Sequence, residues 1–161
     1  MKGIIMRRIL LVLIASIAAS HHLIASEMSS EAEVAGTLQA YESAWSRHDA
    51  DAIASFYYEP AVRVGRAGPH VRPSRADQIS FFNGFLQGLV DRGYARSTWE
   101  ELNVRLLDEQ TAIAGGITVR YRADGTVFER LGVTYGLYKT NEGWKIFMSA
   151  THAPESVLRF Q

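Results

Sequence analysis

The chain has 161 residues, no cysteine, and 17 basic against 17 acidic side chains. This length suits a single domain, and the absence of cysteine excludes a disulfide scaffold, a cysteine-ligated metal site and a cysteine nucleophile. The balanced charge argues against a nucleic-acid partner, because a surface that follows phosphates normally carries a clear excess of lysine and arginine.

The first 26 residues have the pattern of a signal peptide. Three basic residues precede a predominantly apolar stretch, Ile9–Ala19, which small residues follow. This stretch is shorter than the roughly 20 residues that a membrane-spanning helix needs, although a retained membrane anchor is the alternative interpretation. Cleavage after Ser20 or after Ser26 fits the small residues that a signal peptidase reads. We therefore expect a periplasmic or secreted protein with one domain, residues 27–161, and no membrane attachment after cleavage.

The start of this domain is predicted to be helical. Val34, Leu38, Tyr41 and Trp45 are spaced by three or four residues, which predicts a helix from about Ser29 to Arg47 with one apolar face. Asp49 is a typical N-cap for a second, shorter helix. Its apolar side is predicted to be Ile53, Phe56 and Tyr57, and Pro60 is predicted to end it. A short strand, Ala61–Gly65, is expected next.

An arginine-rich segment separates this part from a third helix. Residues 65–74 contain two glycines and two prolines, which favours a loop or a tight hairpin. Four arginines lie within or next to this segment: Arg63, Arg66, Arg72 and Arg75. They indicate either a mouth that attracts an anion or a solvated loop. Ser74 and Asp77 form a capping box, and the third helix is predicted to continue until Gly93.

The second half of the domain changes to the alternating pattern of β-strands. Four runs are predicted, Thr98–Leu107, Thr111–Tyr121, Val127–Lys139 and Trp144–Thr151. Asp124-Gly125 is a typical tight hairpin turn, and 141–143 is a looser one. The sequence therefore predicts an α+β domain in which helices come first and an antiparallel meander follows.

This order of elements, with several local motifs, resembles the nuclear-transport-factor-2-like superfamily, which includes SnoaL-like polyketide cyclases, ketosteroid isomerases and scytalone dehydratases. The motifs are Tyr41-x-x-x-Trp45 before Asp49, the segment Phe56–Pro60, Gly93–Ser97, Arg120–Gly125, Thr134–Tyr138 and Gly143–Ile146. The resemblance implies a cone-shaped roll in which three N-terminal helices pack on a curved antiparallel sheet. It does not imply one function, since this fold holds enzymes, binding modules and assembly domains.

Ketosteroid isomerases offer a direct comparison of site residues. In these enzymes, the tyrosine that stabilises the oxyanion lies eight residues before the Asp that opens the second helix. In this chain, Tyr41 lies eight residues before Asp49. Their general base lies on the following short strand, where Ala61–Gly65 has no carboxylate, and their second oxyanion partner has only Thr134 as a counterpart in this chain. Steroid isomerase chemistry is therefore not expected.

The remaining candidates suit a small pocket. In the last strand, alternation predicts one face with Trp144, Ile146, Met148, Ala150 and His152, and another with Lys145, Phe147, Ser149 and Thr151. The resemblance implies that the first face looks toward the helices and the second outward. We expect the pocket to be lined by Tyr41, Trp45, Tyr58 and His152, with His152 the weak catalytic candidate. The histidine spacing predicts no metal site, and no motif indicates a cofactor.

Two functions remain open at this point. One is a binder of a small, partly apolar molecule, or a lyase, isomerase or cyclase that acts on one. The other is a non-catalytic dimeric binding or assembly module. A homodimer joined through the outer face of the sheet is expected in either case, because Phe147 there is too apolar to remain in water.

Overall fold

The structure, a computed structural model, describes residues 30–160, and the predicted signal peptide lies outside the described residues. Helix α1 covers residues 30–46, α2 covers Ala50–Ser55, and α3 covers Arg75–Val90. No helix within the described range is long and apolar enough to cross a membrane.

The predicted apolar faces of the long helices are buried. In α1, Val34 and Leu38 are inaccessible to solvent, and Tyr41 and Trp45 are nearly so. In α3, the buried apolar residues are Phe82, Leu86 and Leu89. At its start, the Ser74 side chain accepts a hydrogen bond from the backbone N–H of Asp77, as the capping box predicts. Both predicted helices are therefore confirmed, and both direct their apolar faces into one core.

Six strands form one sheet. They are β1 (Tyr57–Gly65), β2 (Gly68–Arg72), β3 (Arg96–Leu106), β4 (Thr111–Tyr121), β5 (Val127–Thr140) and β6 (Gly143–His152), in the order β2-β1-β6-β5-β4-β3. Strands β3 to β6 are the predicted antiparallel meander, and β1 and β2 form a hairpin where a loop or hairpin was predicted. Among the strands of residues 30–160, only β1 and β6 pair in parallel. The α+β class and the three N-terminal helices are confirmed, with a sheet that is mostly antiparallel.

The second helix is shorter than the sequence predicts. It ends at Ser55, and Tyr57 already pairs with Ile146 of β6. Tyrosine is favoured in strands, and pairing with β6 extends β1 back to Tyr57, well before Pro60. The register of β1 against β6 shifts between Tyr57 and Val62, and Pro60 falls within that irregular stretch, where a strand tolerates a missing N–H.

The predicted faces of β6 are wrong beyond Phe147. Ile146 pairs with Leu137, but the next residue of β5, Gly136, pairs with Met148, so Phe147 is an extra residue in a β-bulge. Because side chains alternate with a period of two, one extra residue exchanges the two faces of everything that follows. Trp144 and Ile146 face the core as predicted, but His152 no longer does.

The C-terminal residues lie on the outer face of the sheet. A Cβ added to Gly115 of β4 would lie 2.6 Å from the carbonyl oxygen of Leu158, which shows how closely this segment approaches the strand. Arg159 continues the contact through an ion pair with Glu101 of β3 at 2.7 Å. This segment therefore covers the β3–β4 side of the outer face.

Candidate functional site

A funnel opens between the inner face of the sheet, the β1–β2 hairpin and α3. Its wide outer part has a volume of about 660 Å³, and its narrow end, the inner chamber, has a volume of about 30 Å³. The residues that line both parts are Arg63, Arg120, Leu131 and Thr151. The outer part has the size of a site for a small organic molecule, whereas the inner chamber has room for one or two groups the size of water.

The inner chamber combines aromatic and polar side chains. Helix α1 contributes Tyr41, Glu42 and Trp45. The other lining residues come from β1 and from the meander: Arg63, Ser97, Thr118, Arg120, Leu131, Val133, Tyr135, Ser149, Ala150 and Thr151. The closed end of the funnel is therefore a polar floor inside an aromatic wall.

Glu42 is the acidic side chain of this floor. Only 6% of it is exposed, and its carboxylate accepts a short hydrogen bond from the hydroxyl of Thr118. Burial raises the pKa of Glu42 above the ordinary 4.5, and the hydroxyl of Thr118 and the charge of Arg120 oppose that rise. Burial thus favours the acid form of Glu42, whereas Thr118 and Arg120 favour its carboxylate form.

Arg120 is the basic side chain of the same floor. It is 8% exposed, and its Nη1 lies 2.5 Å from Oε1 of Glu129 on the neighbouring strand. Its guanidinium also lies 5.2 Å from the centre of the Trp45 ring, within cation–π range. These contacts fix Arg120 at the junction of the chamber and the outer funnel.

Tyr41 lies at the centre of the aromatic wall. Its hydroxyl shares a 2.8 Å hydrogen bond with the hydroxyl of Tyr57, and its ring makes edge contacts with those of Trp45, Phe56 and Tyr135. Burial raises the pKa of Tyr41 well above 10.0, so the phenol stays protonated at neutral pH. The packing gives Tyr41 a structural role whether or not a ligand binds.

Ser149 lines the chamber with a buried side chain that has no partner within residues 30–160. It is 4% exposed, and its hydroxyl makes no hydrogen bond. Buried hydroxyl groups normally have a partner, because leaving one unpaired costs about 1–3 kcal/mol. A polar group in the chamber is the natural partner for this hydroxyl.

The wide mouth of the funnel is rich in arginine. Its charged and titratable lining residues are Arg63, Arg66, His70, Arg72, Arg92, Arg120, Glu129, Arg130 and His152. Arg120 pairs with Glu129, and Arg130 pairs with Glu100 of β3. Among the described residues, no carboxylate pairs with Arg63, Arg66 or Arg72.

Two of these unpaired arginines share one aromatic ring. The guanidinium of Arg72 lies 3.6 Å from the centre of the Phe81 ring, and that of Arg63 lies 5.7 Å from the same centre. Burial lowers the pKa of Arg72, and the like charge of Arg63 lowers it further. Phe81 therefore holds two positive charges close together at the mouth.

The structure divides the arginine cluster of the sequence. Arg63, Arg66 and Arg72 line the funnel, but Arg75 lies elsewhere and pairs with Asp51 at 2.9 Å. Arg75 instead lines a separate groove together with Tyr58.

The four predicted pocket residues do not meet in one place. Tyr41 and Trp45 line the inner chamber, and His152 lies at the rim of the outer funnel. Tyr58 is outside the funnel: it is 39% exposed and contacts the ring of Tyr138 at 6.0 Å. The reason is strand alternation, because Tyr57 takes the buried position and the next residue must point away from it.

His152 is engaged by protein groups in this structure. Its Nδ1 lies 2.9 Å from the carbonyl oxygen of Ala153, which can only accept, so Nδ1 donates there. In the neutral ring, Nε2 then accepts from the hydroxyl of Thr134 at 3.0 Å. Thr134, which the ketosteroid isomerase comparison singled out, alternates with the chamber residues Val133 and Tyr135 and lies on the other side of β5.

Sequence reasoning missed the polar floor. Glu42 follows Val34 and Leu38 at intervals of four, so a charged residue on a core-facing row of α1 was a usable signal. Arg120 and Thr118 alternate along β4, but a strand with both faces buried gives no indication of which side is the core. Ser149 was predicted to face outward and lines the chamber only because of the bulge at Phe147.

Comparison with known proteins identifies the fold family. The family model described as NTF2-like protein (DUF6841) matches residues 31–154. No protein with a curated description matches the sequence.

Solved structures show the same fold at low sequence identity. An NTF2-like protein with a cystatin-like fold from Novosphingobium aromaticivorans is 17% identical with a TM-score of 0.70, and the match covers 91% of this chain and 97% of that one. An NTF2-like protein of unknown function from Shewanella oneidensis is 18% identical, with a TM-score of 0.60 and coverage of 74% and 95%. A ketosteroid isomerase-like protein from Erwinia carotovora is 18% identical, with a TM-score of 0.56 and coverage of 76% and 94%.

Proposed function

The chain belongs to the NTF2-like family DUF6841, and within that fold we propose that it binds a small, partly apolar organic anion in the funnel. The observation that carries the proposal is the pair of guanidinium groups, Arg63 and Arg72, which share Phe81 at the mouth without a carboxylate partner among the described residues. Two like charges held together are stabilised by an anion, and guanidinium groups bind carboxylates through paired hydrogen bonds.

The apolar part of the ligand has a matching surface. Beside the arginines, the outer funnel is lined by Phe81, Phe85, Leu89 and Leu131. Apolar walls with a few polar groups that fix orientation are typical of sites for small molecules. The funnel is also open rather than filled by side chains, which favours a binding function over a purely structural assembly module.

The proposal is tested by calorimetric titration of the full domain with octanoate and with octanamide, which has the same length but no charge. We expect octanoate to bind about tenfold more tightly, since a hydrogen bond to a charged group contributes about 1.5–3 kcal/mol. Arg72→Gln should remove this preference. Arg75→Gln is the matched control, because Arg75 comes from the same sequence cluster but pairs with Asp51 outside the funnel.

Two results would contradict the proposal. One is equal affinity for octanoate and octanamide, and the other is an equal loss in both arginine variants. Native mass spectrometry of the protein purified from its own host complements the titration, because a retained anion would identify the ligand class directly.

We also propose that the protein acts outside the cytoplasm. Support comes from the basic, apolar and small-residue order of residues 1–26. N-terminal sequencing of the mature protein should then begin at His21 or Glu27. Recovery of a chain that retains Met1 would contradict export by cleavage.

A homodimer remains the proposed assembly. The outer face of the sheet is covered on its β3–β4 side by the C-terminal segment, but Tyr58, Tyr138 and Phe147 are each between 36% and 39% exposed. Exposed aromatic residues in one area are typical of interaction surfaces. We propose that a second copy covers this part of the face.

A further inference from the structure

The inner chamber contains a buried hydroxyl group that has no hydrogen-bond partner among the described residues. The hydroxyl of Ser149 lines it, is buried and makes no hydrogen bond within the described part of the chain. The chamber volume of about 30 Å³ exceeds the roughly 10–15 Å³ that one water-sized group requires. One small polar group therefore fits in the chamber, while the carbon skeleton of an organic ligand does not.

The surrounding groups define which polar group suits the chamber. Ser149 can donate or accept, and the carboxyl group of Glu42 lines the same chamber. Thr118 already donates to one oxygen of Glu42. A hydroxyl group both donates and accepts, so it can satisfy Ser149 and Glu42 together. A methyl group would leave the Ser149 hydroxyl without a partner and would add no hydrogen bond to Glu42.

The chamber and the arginine pair lie side by side. Arg63 of β1 pairs with Ser149 of β6 in the sheet, and Arg63 lines both the chamber and the outer funnel. A ligand whose anionic group binds Arg63 and Arg72 therefore lies next to the chamber, where a hydroxyl group that it carries can reach Ser149.

We propose that the inner chamber is a hydroxyl subsite and that the ligand is a hydroxy acid. Its carboxylate binds at Arg63 and Arg72, and its hydroxyl bonds Ser149 and Glu42. This inference rests on the proposed function and adds the chemical class of the ligand.

The test compares two series of acids by calorimetric titration of the full domain. One series consists of ω-hydroxy acids with 4 to 10 carbons, and the other of unsubstituted acids in which a methyl group replaces the hydroxyl, such as 6-hydroxyhexanoate against heptanoate. We expect the hydroxy acid of best-fitting length to bind about tenfold more tightly than its methyl counterpart, as two new hydrogen bonds would provide. An apolar chamber would give the opposite preference, because burial favours the methyl group.

Variants assign the preference to the chamber. Ser149→Ala should reduce the affinity for the hydroxy acid about fivefold and leave the affinity for its methyl counterpart unchanged. The domain should remain folded, since this change removes a buried hydroxyl that has no partner. Ser43→Ala, which alters an exposed serine of α1 whose hydroxyl donates to Gln39, is the control and should change neither affinity.

The outcomes separate the two proposals. If the methyl acids bind as tightly as the hydroxy acids at every length, the hydroxyl subsite is refuted while anion binding stands. The subsite is also refuted if Ser149→Ala leaves the hydroxyl preference intact. If neither series binds more tightly than the uncharged amides, anion binding is refuted and the subsite with it.

Discussion

Replacing Tyr41 by phenylalanine tests whether its hydroxyl serves the core or a ligand. The hydroxyl groups of Tyr41 and Tyr57 are 2.8 Å apart, and the two residues are only 2% and 6% exposed. Each hydroxyl is therefore the main polar partner of the other in a buried region. Tyr41→Phe removes one of them and leaves that of Tyr57 buried without its partner.

The size of the effect follows from this geometry. An unsatisfied buried hydroxyl costs about 1–3 kcal/mol, whereas removing both partners of a hydrogen bond is close to neutral. Each of Tyr41→Phe and Tyr57→Phe should then lower the free energy of unfolding by about 1–3 kcal/mol. The double variant should lose clearly less than the sum, with an interaction energy of about 1 kcal/mol or more.

Urea unfolding of the wild-type domain, both single variants and the double variant measures this interaction energy. Tryptophan fluorescence is a suitable signal, because the Trp45 ring centre lies 6.2 Å from that of Tyr41. If the losses of the two single variants add to within about 0.5 kcal/mol, the hydroxyl groups do not interact and the reasoning is refuted. The hydroxyl of Tyr41 would then be free for a ligand.

Two further predictions concern Glu42 and the dimer. The raised pKa of Glu42 means that the folded protein binds more protons than the unfolded chain between pH 4.5 and the folded pKa, so stability falls as pH rises through that interval. Glu42→Gln should weaken the dependence of stability on pH and should be more stable than the wild type at pH values above the folded pKa. Urea midpoints at a series of pH values measure this effect. An unchanged pH dependence in the variant would contradict a raised pKa of Glu42. Phe147→Glu should convert a dimer into a monomer of unchanged fold by sedimentation equilibrium at micromolar protein, and a monomeric wild type would exclude the dimer.

Long periodic segments of the fold were predictable from the sequence. The stripe from Val34 to Trp45 identified α1, and the box at Ser74 and Asp77 identified the start of α3, because both signals depend on neighbours within a few residues. The start of β1 was not predictable in this way. Tyr57 joins the sheet through β6, whose sequence lies at the other end of the chain, and no local pattern reports that pairing.

The arginine cluster shows the same limit for the site. Its composition was evident, but composition alone did not decide for an anion-binding mouth over a solvated loop. Tertiary contacts separate Arg75 from Arg63 and Arg72. Phe81 of α3 contacts Arg63 and Arg72 at the funnel, whereas Asp51 of α2 pairs with Arg75 outside it. Neither contact follows from the spacing of the arginines themselves.

The polar floor of the funnel depends on a single extra residue in β6. Phe147 has room as a bulge because its partner strand offers Gly136, where an added Cβ would lie 2.6 Å from the Phe147 ring. A larger residue at position 136 would displace that ring, and loss of the bulge would return Ser149 to the outer face. The chamber would then lose the unpartnered hydroxyl on which the hydroxyl subsite rests. A glycine opposite a large apolar residue in a predicted strand pair was therefore the sequence signal that could have placed Ser149 in the site and moved His152 away from it.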